Sequence, residues 1–187
     1  MFLTYLQLGF EHITDINGYD HMLFLLALCA AYVYTDWKKI LVLVTAFTLG
    51  HSITLALAVM NFIPVNALWI EFLIPVTIVA TSVKNMVTKQ ENAATFTYVM
   101  ALGFGLIHGM GFSNYLRSLL GDELLLPLVA FNIGIEIGQL LVVVAIFLIQ
   151  FTLFKAISVK HKQWNTVLSV VTGGISLLLA AQRIPLL

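Results

Sequence analysis

The sequence predicts an all-α protein, a polytopic bundle of transmembrane helices that forms a single domain over residues 1–187. Three observations predict this fold. Hydrophobic residues make up 60% of the chain and charged residues 10%, whereas a soluble domain is roughly half apolar and about a quarter charged. Apolar runs long enough to cross a membrane recur along the whole chain. Basic residues collect in alternate connections between these runs.

Six full spans are predicted from the apolar runs, because a crossing needs about 20 mostly apolar residues. They cover residues 20–35, 39–60, 67–87, 96–116, 124–154 and 165–183. The fifth run is long, and we expect it to tilt or to protrude from the membrane. Residues 2–14 form a shorter apolar helix, which is half-inserted or, if it crosses, a seventh span.

Basic residues set the expected orientation, since cytoplasmic loops carry an excess of Lys and Arg. The three connections on one side contain Lys38, Lys39, Lys84, Lys89, Lys155, Lys160 and Lys162. The opposite side has two basic residues, Arg117 and Arg183, together with acids that include Asp122. We therefore expect the C-terminus on the outside of the membrane.

Composition also excludes several classes of function. Formal net charge is zero and no basic patch is present, so we expect the lipid bilayer and no nucleic acid as a partner. Cys29 is the only cysteine, which excludes disulfide scaffolds and thiolate metal cages. A protein partner is not indicated by any segment.

Ionisable side chains in or beside the predicted spans are the main functional signal, because each costs ~2.5–3.5 kcal/mol on insertion scales and usually lines a functional cavity. They are His12, Asp20, His21, His51, Glu71, His108 and Glu136. At 1.5 Å of rise per residue, all of them fall in the outer half or near the midplane of the membrane. This depth pattern predicts a funnel that opens outside and ends near the middle.

Polar and small residues surround these groups. Asn132, Glu136 and Gln139 fall on one helix face. Gly105 and Gly134 each begin a GxxxG pair, which predicts close helix crossings near His108 and Glu136. Such pairs are also common in membrane helices where they serve packing and no functional site. Imidazole with carboxylate suits divalent ions such as Ni²⁺, Co²⁺, Zn²⁺, Fe²⁺ or Mn²⁺. The alternative to a metal site is that these polar side chains are unrelated and that each forms its own hydrogen bonds between helices.

Five motifs in order resemble the HupE/UreJ family of membrane proteins. They are HITDINGYDHMLF, FTLGHSITLAL, IEFLIPVTI, FGLIHGMGFS and FNIGIEIGQL. The resemblance runs from Gly9 to about Ile149. It implies six to eight transmembrane helices and a nickel or cobalt permease, associated with hydrogenase and urease maturation.

The family signature, a histidine followed after a short spacer by Asp-His, corresponds to His12, Asp20 and His21. The spacer has seven residues here instead of the usual five, and Ile13 stands where proline is common. By the same resemblance, the later His and Glu motifs of the family fall on His51, Glu71, His108, Asn132 and Glu136.

These observations together favour transport of a divalent transition-metal ion across a bacterial inner membrane. Nickel or cobalt is expected first, with zinc or iron as alternatives. His12, Asp20 and His21 would form the entry site. Deeper in the membrane, His51, His108 and Glu136 would bind the ion, and the supporting residues would be Glu71, Asn132 and Gln139.

Two alternatives remain open from the sequence. Three histidines with a carboxylate base also suit a membrane-embedded zinc hydrolase, in which the metal activates water. A third interpretation is a metal-binding accessory subunit of a membrane complex. A cavity for a lipid chain would favour the hydrolase, and a narrow polar path continuing inward would favour transport.

Overall fold

The computed structural model describes residues 1–87, 94–120 and 123–184, and these residues form eight α-helices. The helices are α1 (Phe2–Thr14), α2 (Asp20–Ala30), α3 (Trp37–Val59), α4 (Ala67–Val87), α5 (Ala94–Gly111), α6 (Ser113–Leu119), α7 (Leu125–Ala156) and α8 (His161–Arg183). Short 3₁₀ turns precede α2 and α3, at Ile16–Gly18 and Tyr34–Asp36. Lys89 and Asp122, both used above to set the orientation, lie outside the described residues.

Fewer single helices are long enough to span a membrane than the six expected. Among the described residues, α3, α4, α7 and α8 are long and apolar enough to cross. The bent pair of α5 and α6 makes a fifth if it is counted as one span, with an angle of 49° between its two parts. The predicted spans at 39–60, 67–87, 124–154 and 165–183 each coincide with a long helix.

The predicted span at residues 20–35 is wrong as a single helix. Helix α2 has 11 residues, which rise about 16 Å and fall short of a hydrocarbon core of about 30 Å. The chain turns after Ala31, where the side chain of Gln150 donates to the carbonyl oxygen of Tyr32 (2.8 Å) and accepts from the N–H of Tyr34 (2.7 Å). The backbone can leave the helix there because a distant glutamine satisfies the freed groups, which apolar run length does not reveal.

Glycines allow two pairs of helices to approach at backbone distance. A Cβ atom on Gly50 would overlap the carbonyl oxygen of Leu102, and one on Gly105 would overlap that of Phe47, at the crossing of α3 and α5. The crossing of α1 and α7 has the same reciprocal form, with Gly9 and Gly134. The close crossings expected from the GxxxG pairs are therefore confirmed.

Helix directions follow from side-chain contacts. Gly9 of α1 lies against Phe131 of α7. Further along both helices, a Cβ added to Gly138 would lie 3.1 Å from the Cβ of Ile13. Helix α1 therefore runs parallel to α7. Tyr32 bonds to Gln150 further along α7. The segment from α1 through α2 therefore runs alongside α7 in the same direction as α7.

Helices α3 and α7 run in opposite directions. Their side chains pair at two levels, Thr45 with Glu136 and Ser52 with Asn132. The antiparallel arrangement brings Lys38, at the start of α3, and Lys155, at the end of α7, to the same end of the bundle. Buried Phe24, Phe47 and Phe131 fill the centre of the core.

Candidate metal centre

Three imidazoles meet where α1, α2 and α3 converge. His12 lies in the last turn of α1, His21 in the first turn of α2 and His51 in the middle of α3. Each offers one ring nitrogen, and these three atoms all lie within 4.8 Å of one another. Nitrogen ligands sit about 2.0–2.1 Å from a bound Zn²⁺ ion and thus roughly 3–3.5 Å apart. A small inward shift of the rings would place all three around one ion.

Helix breaks and glycines produce this convergence. His12 and His21 flank the break between α1 and α2, so each ring belongs to a helix end rather than to a continuous span. His12 follows Gly9 by one helical turn, and His51 directly follows Gly50. Both glycines lie at backbone-to-backbone crossings, which leaves little room between the helices that carry the histidines.

Each ring of this cluster has at least one buried nitrogen without a hydrogen bond. His51 is fully buried and His21 is 7% exposed. Nε2 of His12, Nε2 of His21 and both ring nitrogens of His51 are buried without a hydrogen bond. A buried polar atom left unpaired costs about 1–3 kcal/mol. Several such atoms at one point form a group that could coordinate a metal ion through imidazole nitrogens.

His108 stands next to the cluster as a fourth imidazole. Its ring centroid lies 5.2 Å from that of His21, and its Nδ1 is also buried without a hydrogen bond. Its Nε2 is 3.0 Å from the hydroxyl oxygen of Thr77 on α4, which fixes the orientation of the ring. Nothing in the sequence distinguishes Thr77, because a single hydroxyl within an apolar run carries no functional signal.

Asp20 and Glu71 are held at the end of the bundle by an arginine. The Nη2 atom of Arg183 lies 3.3 Å from Oδ2 of Asp20, and the same guanidinium donates to the backbone carbonyl of Glu71. The other oxygen of Asp20 is buried without a partner. The Glu71 side chain is exposed. Neither acid belongs to the group of three histidines.

The remaining predicted residues face α3 on α7. Glu136 accepts a hydrogen bond from Thr45, Asn132 from Ser52, and Gln139 from Thr48, each at 2.7 Å. The three side chains therefore share one helix face, as their spacing predicts. The structure does not place Glu136 in the histidine group, and its role as a metal ligand stays a prediction.

A cavity of about 760 Å³ opens beside His12, between α1 and the bend of α5 and α6. Glu11 in α1 and Asp15, which directly follows α1, line it from one side, and Phe112 and Tyr115 line it from the other. We call this cavity the vestibule. Nothing in the sequence sets Glu11 apart as a functional residue, because it lies near a helix end, where charged residues are common.

Comparison with protein-family models gives a match over almost the whole chain. A model described as HupE / UreJ protein matches residues 1–183. The chain belongs to the HupE/UreJ family. Proteins of this family are generally related to nickel and cobalt transport. No curated protein and no solved structure matches this HupE/UreJ protein.

The Glu136→Gln variant of this HupE/UreJ protein separates the two groups of polar residues. Glutamine can still accept the hydrogen bond of Thr45, and the histidine cluster is untouched. We expect Co²⁺ affinity to stay within about threefold of the wild type, which is roughly 0.65 kcal/mol. Titration of the purified protein with Co²⁺ measures this. A tenfold loss of affinity would instead place Glu136 among the ligands.

Proposed function

We propose that this HupE/UreJ protein carries a divalent transition-metal ion across a bacterial inner membrane, and that His12, His21 and His51 bind the ion on its way. The observation that carries the proposal is the set of buried imidazole nitrogens without hydrogen bonds at one point of the bundle. Nickel or cobalt is the expected cargo, in agreement with the general character of the family.

The path of the chain supports a membrane-crossing site. Helices α1 and α2 together follow α7, and we infer that they form one broken crossing. With α5 and α6 as a second broken crossing, the bundle crosses six times. Discontinuous helices hold substrate and ion sites in several transporter folds. His12 and His21 occupy such a discontinuity here.

Basic residues support the proposed orientation. Lys38 and Lys155 lie at one end of the bundle, and Arg183 lies at the other end with the last turn of α8. By the excess of lysine, the first end is cytoplasmic and the C-terminus is outside. The histidine cluster and the vestibule are then reached from the outer side.

The donor set supports late first-row ions. Neutral imidazole suits Zn²⁺, Cu²⁺, Fe²⁺ and Ni²⁺, while carboxylate and water suit Mg²⁺, Ca²⁺ and Mn²⁺. The three-histidine group contains no carboxylate. We therefore expect Ni²⁺ and Co²⁺ to bind well, Zn²⁺ to compete, and Mn²⁺ to bind weakly.

The surroundings of the acids favour transport over a zinc hydrolase. A hydrolase of this kind needs a carboxylate base beside the metal-bound water. Asp20 is paired with Arg183, and Glu136 is bonded to Thr45 on another face of α3. One oxygen of each acid is therefore engaged away from the histidine group, which makes both acids less suited to act as the base. The accessory-subunit interpretation would in addition require a partner chain.

Uptake into proteoliposomes tests the proposal. The full chain is reconstituted, and entry of Ni²⁺, Co²⁺, Zn²⁺ and Mn²⁺ is followed with a trapped metal-sensitive dye, against protein-free liposomes. We expect Ni²⁺ or Co²⁺ to enter at least about tenfold faster than Mn²⁺, which corresponds to about 1.4 kcal/mol of discrimination. Stoichiometric metal binding with no uptake of any ion would contradict transport and favour the hydrolase.

A further inference from the structure

We propose that the metal ion reaches the histidine cluster through the vestibule, past Glu11 and Asp15, and that the approach past Asp20 is closed by Arg183. The inference rests on the proposed function and adds the entry route and the residues that control it. His12 is then the first imidazole that an incoming ion meets.

The position of His12 connects the two spaces. His12 lines the vestibule, and one of its ring nitrogens lies within 4.8 Å of ring nitrogens of His21 and His51. Its Nε2 is buried without a hydrogen bond. The vestibule has a volume of about 760 Å³. A water molecule occupies roughly 30 Å³ of liquid, so an ion with a shell of six waters needs about 200 Å³. A hydrated ion therefore fits and can exchange water for imidazole at His12.

The charge of the vestibule favours cations. Glu11 lies in the last turns of α1, Asp15 directly follows the helix, and both line the cavity. Gln7 donates to the Glu11 carboxylate at 2.7 Å, which holds that acid in place on the same helix. Clefts lined by one sign of charge concentrate oppositely charged ligands and raise association rates by about 10–10³-fold.

At the approach past Asp20 the negative charge is balanced by an arginine. Arg183 joins the last turn of α8 to Asp20 on α2 and to the backbone of Glu71 on α4. These contacts bring three helix ends together around a guanidinium group. A divalent cation arriving there meets a guanidinium that is already paired with one oxygen of the carboxylate. Asp20 therefore acts as a structural anchor beside His21 and not as the point of entry.

A blocking experiment tests the route directly. Thr14 lines the vestibule, and its hydroxyl donates to the carbonyl oxygen of Phe10 in its own helix. A Thr14→Cys variant is labelled with a bulky, charged thiol reagent. The native Cys29 is fully buried, so we expect it not to react. Binding is followed by stopped flow, as the visible absorption of Co²⁺ changes on coordination by imidazole.

Labelling at Thr14→Cys should slow Co²⁺ association at least about tenfold, a rise of about 1.4 kcal/mol in the barrier. The matched control is Leu126→Cys, at an exposed position on α7 outside the vestibule, and its labelling should leave the rate unchanged. An unchanged rate after full labelling at Thr14→Cys would overturn the route.

Charge removal provides a second measurement. The double variant Glu11→Gln with Asp15→Asn should associate with Co²⁺ at least about fivefold more slowly at low salt, with a smaller difference at high salt, since salt screens such attraction. Its dissociation rate should not change. Glu123→Gln, an exposed acid that does not line the vestibule, is the control.

Arg183→Gln tests the closed approach. If Arg183 closes this approach, its removal opens a second one, so labelling in the double variant Thr14→Cys with Arg183→Gln should slow Co²⁺ association by less than about twofold. Labelling that slows association as strongly in the double variant as in Thr14→Cys alone would show that Arg183 does not close the approach past Asp20, and would overturn that part of the proposal.

The same measurements separate this inference from the proposed function. If the wild type shows no imidazole-bound Co²⁺ absorption, or if that absorption survives in His51→Ala, the metal site fails and the entrance fails with it. If the absorption is normal and lost in His51→Ala, but the vestibule variants bind Co²⁺ at wild-type rates, only the entry route is wrong.

Discussion

Replacement of His51 by alanine is expected to abolish uptake and to lower Co²⁺ affinity at least about 100-fold. Loss of a residue that merely supports a metal ligand typically costs 10–100-fold, so loss of a ligand should cost at least the upper value. His51 is fully buried, and both its ring nitrogens lack hydrogen bonds, so its removal breaks no side-chain hydrogen bond. Isothermal titration and proteoliposome uptake measure the two effects.

The matched control is His161→Ala. His161 is the first residue of α8, 22 residues before Arg183 and about 33 Å of helix away from the end that carries Asp20. We expect its variant to bind Co²⁺ and to transport like the wild type. Equal activity of the His51→Ala and His161→Ala variants would remove the histidine cluster from the mechanism.

Gly105→Ala is expected to destabilise the bundle strongly. The added Cβ would overlap the carbonyl oxygen of Phe47 and lie 3.1 Å from the backbone nitrogen of His51, and backbone cannot move aside as a flexible side chain can. Overpacking of this kind typically costs about 1–3 kcal/mol, and separation of α3 from α5 would also displace His51 from its neighbours. Thermal unfolding in detergent and Co²⁺ titration measure both consequences.

Gly103→Ala provides the control on the same helix. No heavy atom lies within 4 Å of the position that its Cβ would take, apart from its own helix and chain neighbours. Alanine is favoured over glycine within a helix by about 0.8–1.0 kcal/mol, so this variant should be as stable as the wild type or more so. Similar melting temperatures for the two variants would contradict the close crossing of α3 and α5.

The long apolar helices could be predicted from the sequence because each one carries its own signal. A run of about 20 apolar residues needs no distant partner to form a helix in a membrane, since all its backbone groups bond internally. Four predicted spans therefore coincide with α3, α4, α7 and α8. The early end of α2 could not be predicted, because the turn there depends on a distant partner, Gln150.

The candidate site could be predicted in part for a similar reason. An ionisable residue within an apolar run is conspicuous, so the sequence identified all four histidines of the region. It could not tell which acids accompany them. Glu136 has the right depth but lies on the side of α7 that faces Thr45, and Asp20 is next to His21 in the chain yet bonds to Arg183.

The sequence by itself determined the class of the protein, its family resemblance and the residue types of the site, because composition, motifs and helix length are local properties of the chain. Only the tertiary structure decided that three histidines from α1, α2 and α3 meet, that Glu136 bonds elsewhere, and that a cavity opens at His12. The reason is physical. Helix crossings at Gly9 and Gly50 and the break between α1 and α2 set distances between residues up to 39 positions apart in the chain, and no local pattern encodes such distances.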